Sequence, residues 1–308
     1  MGVLLIIGAI VASIAVGVVA ERRRPLAAAK AARRSLLLLL YFLIPPLIFI
    51  NLAASEIDVD HGVALATGVV AIALAGLGAY VIASRVLGLA PHRTGAVVSG
   101  VLCMNSGYLG YPMTVALLGR DELSTAVLYD VMVSGPSLLL GAFAVGAAFG
   151  TKAGEGPRER VRAFFTRNPP LYAAIAGLLA PEALAPGWAV DVSQLLIVAI
   201  LPIGFFAVGA TLAENAEHGA LPMPPPLTRP VVAILCTRLL VAPGLLIALT
   251  APFVELPAAY LLLAAMPTGL NSMVVAHAYG LDLEITAEAV VWSTTIVVAA
   301  AAFAALLL

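Results

Sequence analysis

Met104-Asn105-Ser106-Gly107-Tyr108-Leu109-Gly110-Tyr111-Pro112 and Met266-Pro267-Thr268-Gly269-Leu270-Asn271-Ser272 are short, polar, helix-breaking segments set inside otherwise apolar stretches, one in each half of the chain. Gly and Pro are poor helix residues, and Asn and Ser are costly in hydrocarbon unless something contacts them. Broken helices at corresponding positions of two halves point to a transporter's binding site. The competing reading is a pair of kinks that let helices pack closely, their polar groups bonded to neighbouring backbone. A single break would leave the two readings level; two breaks in matching places favour the binding site.

The surrounding chain has 308 residues, 62% of them hydrophobic and 11% charged, with a mean hydropathy of +1.07. A soluble domain carries about 25% charged residues, so this chain belongs in a membrane. Cys103 and Cys236 both lie in apolar stretches and are expected to be buried packing residues, not a redox pair. Residues 3–20 are apolar, but the basic cluster Arg22, Arg23, Arg24 follows them. That order is wrong for a cleaved signal and fits a first membrane helix.

A spanning helix needs about 20 mostly apolar residues. The hydropathy pattern predicts ten, near 3–20, 35–53, 62–83, 95–118, 124–148, 169–186, 192–213, 230–251, 257–279 and 287–307. The connections alternate in charge. Arg22 to Arg34 is basic, Glu56 to Asp60 acidic, Arg85 and Arg93 basic, Asp121 and Glu122 acidic, Lys152 to Arg167 basic, and Glu182 with Asp191 acidic. Lys and Arg mark the cytoplasmic side, which places both termini outside the plasma membrane.

The halves echo each other. Met104, Ser106 and Gly107 pair with Met266, Thr268 and Gly269; Gly119 and Asp121 pair with Gly280 and Asp282; Leu43-Ile44-Pro45-Pro46 resembles Ile200-Leu201-Pro202. Five spans per repeat is an odd number, so the second copy enters the membrane from the opposite side. The expected fold is an all-α membrane protein of ten helices in two inverted five-helix repeats, residues 1–150 and 151–308, with broken, crossing helices 4 and 9.

An unwound helix exposes N–H groups that carry partial positive charge and favour an anion. Pro112 and Pro267 cannot donate backbone hydrogen bonds and enforce the breaks. Asn105 and Asn271 can donate and accept, Ser106, Thr268 and Ser272 add hydroxyls, and Tyr108 and Tyr111 can wall an organic substrate. Gly107 and Gly269 complete the candidate site.

The stretch Asn105-Ser106-Gly107-Tyr108-Leu109-Gly110-Tyr111-Pro112 resembles the Asn-Thr-Gly-Phe-Leu-Gly-x-Pro signature of the auxin efflux carrier family. Tyr41 to Phe49, Asn168-Pro169-Pro170, Leu201-Pro202 through Gly209-Ala210-Thr211-Leu212, and Met266 to Gly269 also resemble that family, so the likeness runs along essentially the whole chain. The resemblance implies a scaffold and a transport domain, as in the bile acid:sodium symporter group, and carriage of organic anions. Plant members export auxin, and bacterial members are linked to malate or malonate. It carries Asn105, Pro112, Pro267 and Asn271 over as substrate-site residues and leaves a homodimer open.

Three ionisable residues inside spans are candidates for coupling or charge roles. Asp130 reads either as a coupling carboxylate or as a hydrogen-bonded residue near the outer interface, with the second favoured. Arg238 could attract an anion, but snorkelling its long stem to the interface is the favoured reading. His277 reads as structural in preference to a proton shuttle. Asp282 and Glu288 are expected in the final loop and helix start, and Pro222 to Pro226 as a stiff linker. The basic stretch Arg158 to Arg167 looks amphipathic, but a plain topology signal is favoured over a surface helix on the inner leaflet.

The function expected is secondary transport of small organic anions, by export, through alternating access between the repeats. A sodium-coupled symporter of the bile acid type and a non-transporting sensor are the alternatives. An intramembrane enzyme is disfavoured because the sequence has no His-Glu-x-x-His and no aspartate-rich motif. No cofactor, metal or nucleic acid is implied, and the coupling ion, H+ or Na+, is left open.

Overall fold

The computed structural model describes residues 3–54, 62–119, 122–154, 156–214 and 225–307. The acidic loop at Glu56 to Asp60, the residues Arg120 and Asp121, and most of the Pro222 to Pro226 run lie outside them. Among the described residues every regular element is helical. The β feature is an isolated antiparallel bridge between Met104 and Thr268.

Five helical runs among these residues are long and apolar enough to cross a bilayer unaided. They are α2 (Pro25–Ala53), α3 (Gly62–Val86), the Thr125–Phe149 part of α6 (residues 123–149), α10 (Arg229–Thr250) and the Leu283–Ala301 part of α13 (Leu283–Leu307). The other expected spans meet different elements. Helix α1 (Val3–Arg23) covers the first, and α9 (Gly187–Glu214) continues through an internal Pro202. Helix α8 (Pro169–Leu179) is a short apolar helix. The spans expected at 95–118 and 257–279 are each interrupted: α4 (Pro91–Leu102) is followed by α5 (residues 106–117), and α11 (Ala258–Ala264) by α12 (Asn271–Tyr279).

Prolines leave a regular mark on these helices. At four places a wide turn of π-helical geometry ends two residues before a proline. Leu39–Leu43 precedes Pro45, Ser106–Gly110 precedes Pro112, Asp130–Ser134 precedes Pro136, and Thr237–Val241 precedes Pro243. A proline cannot donate, and its ring collides with the carbonyl four residues earlier. Widening the preceding turn makes room for the ring without ending the helix. Two ionisable residues, Asp130 and Arg238, stand in such turns.

Helix α1 lies along α9, and α8 along the second half of α2. Small residues make the first contact. A Cβ added to Gly17 would lie 2.3 Å from the Phe206 carbonyl oxygen, and one on Gly209 would lie 2.2 Å from that of Ile14. With no hydrophobic drive between helices in lipid, such close backbone approach supplies the packing energy. Helix α3 packs against α4 and α10; α12 and α13 lie together beside α4, and α13 also packs on α10.

Arg158 to Arg167 falls largely in a helix, α7 (Pro157–Thr166). Two expectations are corrected. Glu288 lies inside α13 and is buried, whereas Asp282 caps that helix by accepting from the Ile285 amide at 3.1 Å. Cys236 is exposed, unlike Cys103.

Candidate functional site

The two interruptions are bonded to each other. The Asn105 amide donates to the Pro267 carbonyl at 2.8 Å, and the Gly269 amide donates to the Cys103 carbonyl at 2.8 Å. A helix leaves its last four carbonyls without intrahelical donors, and in α4 all four are taken up. Ser99 O accepts from the Cys103 amide, Gly100 O from the Thr268 hydroxyl at 2.9 Å, Val101 O from Arg238, and Leu102 O from the Ser137 hydroxyl at 2.8 Å. On the other break, the Thr268 amide donates to Ser293 Oγ at 3.1 Å. The crossing is therefore a fixed, hydrogen-bonded junction at its C-terminal ends.

Beside this junction lies a cavity of about 660 Å³, within the usual size range of small-molecule sites. The first residues of α5 (Ser106, Gly107) and α12 (Asn271) line it together with Asn105 and Gly269. Most of the remaining wall is apolar, contributed by α2 (Leu47), α6 (Leu139) and α8 (Leu171, Ala174). The polar groups thus gather at the break, where helix N-termini contribute partial positive charge.

Asn105 stands out in that wall. It is 1% exposed, and neither its side-chain nitrogen nor its oxygen has a hydrogen-bond partner among the described residues. Leaving such a group unpaired costs about 1–3 kcal/mol. A buried amide with both ends unpartnered, beside a helix end whose last carbonyls are taken up, is suited to a ligand.

Asp130 reaches the same place from α6. Its carboxylate accepts from the Ser106 hydroxyl and, at 2.6 Å, from the Tyr111 hydroxyl. Asp130 is thus hydrogen-bonded and lines the cavity beside the break. Its two hydroxyl donors are thereby committed, so Ser106 and Tyr111 orient Asp130 first and any ligand second.

The structure brings Asn105, Ser106, Gly107, Tyr111, Gly269, Asn271 and Asp130 to one cavity. Pro112, Pro267, Thr268 and Ser272 are not in its wall. Thr268 and Ser272 are fully buried and spend their hydroxyls on the Gly100 and Gly269 carbonyls. The side chain of Tyr108 lies outside the described atoms. His277 sits away from the cavity, and its carbonyl accepts from the Lys152 ammonium at 2.8 Å. Arg238 does not snorkel. It is fully buried and donates to the Met266 carbonyl at 3.0 Å, the Val101 carbonyl at 3.4 Å and the Ala264 carbonyl.

The apolar wall was missed, since a cavity-facing Leu47 and an exposed Phe42 look alike in sequence. Asn51 was missed as well. It stands in the wall and donates to Leu47 O at 2.7 Å and Ser193 Oγ at 3.4 Å. Its only signal was an amide in an apolar run.

No family model matches the chain. It is similar to a protein of Methanothermobacter thermautotrophicus named an uncharacterized transporter, with 28% identity over 267 residues, 82% of this chain and 80% of that one. The chain is similar to transporters. A second, from Methanocaldococcus jannaschii and also named an uncharacterized transporter, is 24% identical over 104 residues, 34% of this chain and 32% of that one. With its long apolar helices, the protein is a membrane protein with transporter relatives.

Proposed function

We propose that this protein is a secondary carrier of small organic anions, working by alternating access, and that its ten membrane segments form two inverted five-helix repeats. The observation that carries the substrate reading is the Asn105 amide, buried and unpartnered in the cavity at the break. The N-terminal ends of α5 and α12 beside it favour negative charge. The apolar wall of α2, α6 and α8 suits a ligand with a hydrocarbon or aromatic body, and the polar end suits its carboxylate.

Two further features support the repeat. The bridge between Met104 and Thr268 is antiparallel, as an inverted pair requires. Gly119 and Gly280, paired in sequence, follow α5 and α12 with φ of +101° and +76°, a left-handed conformation that glycine adopts at no steric cost. The resemblance to the auxin efflux carrier family agrees with this arrangement, as does the charge pattern that puts both termini outside.

An anion bound beside Asp130 meets a like charge in a low-dielectric wall, and the encounter is relieved when one of the two carboxylates takes up a proton. We therefore assign the coupling role to a proton held at Asp130. Counterflow in proteoliposomes tests the whole reading, with labelled malonate, malate and indole acetate and with Asn105→Ala beside the parent. Saturable exchange that the substitution abolishes is the expected result. Ligand binding without exchange in any lipid mixture would make the protein a sensor.

A further inference from the structure

The crossing separates its helix ends by charge. The N-terminal ends of α5 and α12 line the cavity, where Cys103 and Met104 join them; the last carbonyls of α4 and α11 are turned onto Arg238. In broken-helix carriers, unwound carbonyls and half-helix C-termini are where a coupling cation is held. Here those carbonyls are occupied by a side chain. Arg238 Nε donates to Met266 O at 3.0 Å, Nη1 to Val101 O at 3.4 Å, and Nη2 to Ala264 O and to the Met104 sulfur at 3.9 Å.

The charge balance fits this occupation. Arg238 is fully buried, and the ion pairs found among the described residues, Arg33–Glu214 and Arg93–Asp282, do not involve it. Its compensation comes from backbone. A helix C-terminus carries roughly half a negative charge, so two such ends roughly balance one guanidinium. The fork of N–H donors suits several carbonyls at fixed angles, and the wide turn Thr237–Val241 sets Arg238 on α10 toward them. An isolated guanidinium could not be buried without such partners.

We infer that Arg238 is a tethered cation filling the site that a metal cation would take at the crossing, so that the junction of α4–α5 with α11–α12 is assembled without sodium. Arg238 is a positioning residue: it is not itself in the cavity wall, reaches that wall only through the Met104 sulfur, and acts by holding the two breaks in register. The geometry stands apart from the carrier reading; only the consequence, sodium-independent transport, rests on it.

The test is thermal unfolding of the purified protein in detergent, which needs no substrate and so separates this inference from the carrier reading. Sodium is titrated against choline at constant ionic strength for the parent, Arg238→Ala and Arg238→Lys. The parent's midpoint is expected to stay constant, and Arg238→Ala to drop by about 5 °C or more and recover in millimolar methylguanidinium or sodium. Arg238→Lys, with one point charge for the fork, is expected to fall between them. Saturable stabilisation of the parent by sodium would overturn the inference, even if Arg238→Ala cannot be obtained folded. An Arg238→Ala protein as stable as the parent, or one that no cation restores, would overturn it too.

Discussion

The Tyr111 hydroxyl donates to Asp130 Oδ2 at 2.6 Å, joining the start of α5 to the proline-widened turn of α6. With Ser106 on the other oxygen, the carboxylate is held in the cavity wall by two neutral donors, and the ion pairs found among the described residues do not include it. The elements packed on this turn are α3, α5 and the rest of α6; they bring it Tyr111, with Tyr129 adjacent in sequence and turned to stack on Tyr260 at 5.1 Å. Asp130 is thus placed to exchange a proton without breaking a salt bridge.

Asp130→Asn keeps the size of the side chain and one acceptor oxygen while removing its charge; the hydroxyl that meets the new NH2 turns to accept from it. The fold is expected to survive, with the unfolding midpoint near the parent's or above it. Exchange flux should lose its dependence on pH and on an imposed pH gradient. Counterflow measured across pH 5 to 8 checks this: a variant whose pH profile overlays the parent's would remove Asp130 from coupling.

Asn105→Leu separates function from stability. The orphaned amide costs about 1–3 kcal/mol, and an apolar side chain of similar size removes that cost. The unfolding midpoint is expected to rise by about 2–4 °C, a shift typical of roughly 1 kcal/mol in a chain of this order of size. Flux is expected to fall at least about tenfold, the equivalent of some 1.4 kcal/mol in ligand interaction. A destabilised variant would mean that Asn105 has a structural partner after all, and full flux would move the substrate elsewhere.

What could be read in the sequence and what could not follow from the same physics. The two breaks were legible because Gly, Pro and Asn inside an apolar run violate a local rule, and the violation sits where the cavity is. Arg238 was misread because a linear pattern shows only its distance from the span's ends. The carbonyls that hold it, at Val101, Ala264 and Met266, come from two other helices. The wide turns before Pro45, Pro112, Pro136 and Pro243 had a visible cause, yet their effect on Asp130 and Arg238 depends on which way each helix faces. Apolar periodicity cannot supply that where lipid, core and cavity all take leucine.

Gly209→Ala probes the seam between α1 and α9. A Cβ there would stand 2.2 Å from the Ile14 carbonyl, so the helices must separate, at a cost of roughly 1–3 kcal/mol. Gly78→Ala in α3 is the control: nothing lies within 4 Å of its added Cβ, and alanine is the better helix former by about 1 kcal/mol. The first substitution is expected to lower the unfolding midpoint and the second to leave it unchanged or raise it. Equal effects would show that the close approach carries no packing energy.

Asn168 ties α8 to α6 across the cavity's edge. Its oxygen caps α8 by accepting from the Leu171 amide at 3.2 Å, and its nitrogen donates to the Leu139 carbonyl at 2.9 Å. It is fully buried, and Leu139 and Leu171 both line the cavity. Asn168→Asp retains the cap and loses the donor, leaving a carboxylate against a carbonyl. Asn168→Ala loses both bonds. The alanine variant is expected to cost about 2 kcal/mol, a lost cap together with an unpaired carbonyl. The aspartate variant should cost at least as much, because a buried charge then faces an acceptor. Unfolding midpoints of the two variants decide the matter. If aspartate is tolerated and alanine is not, only the cap contributes, and the bond to Leu139 does not hold α8 against α6.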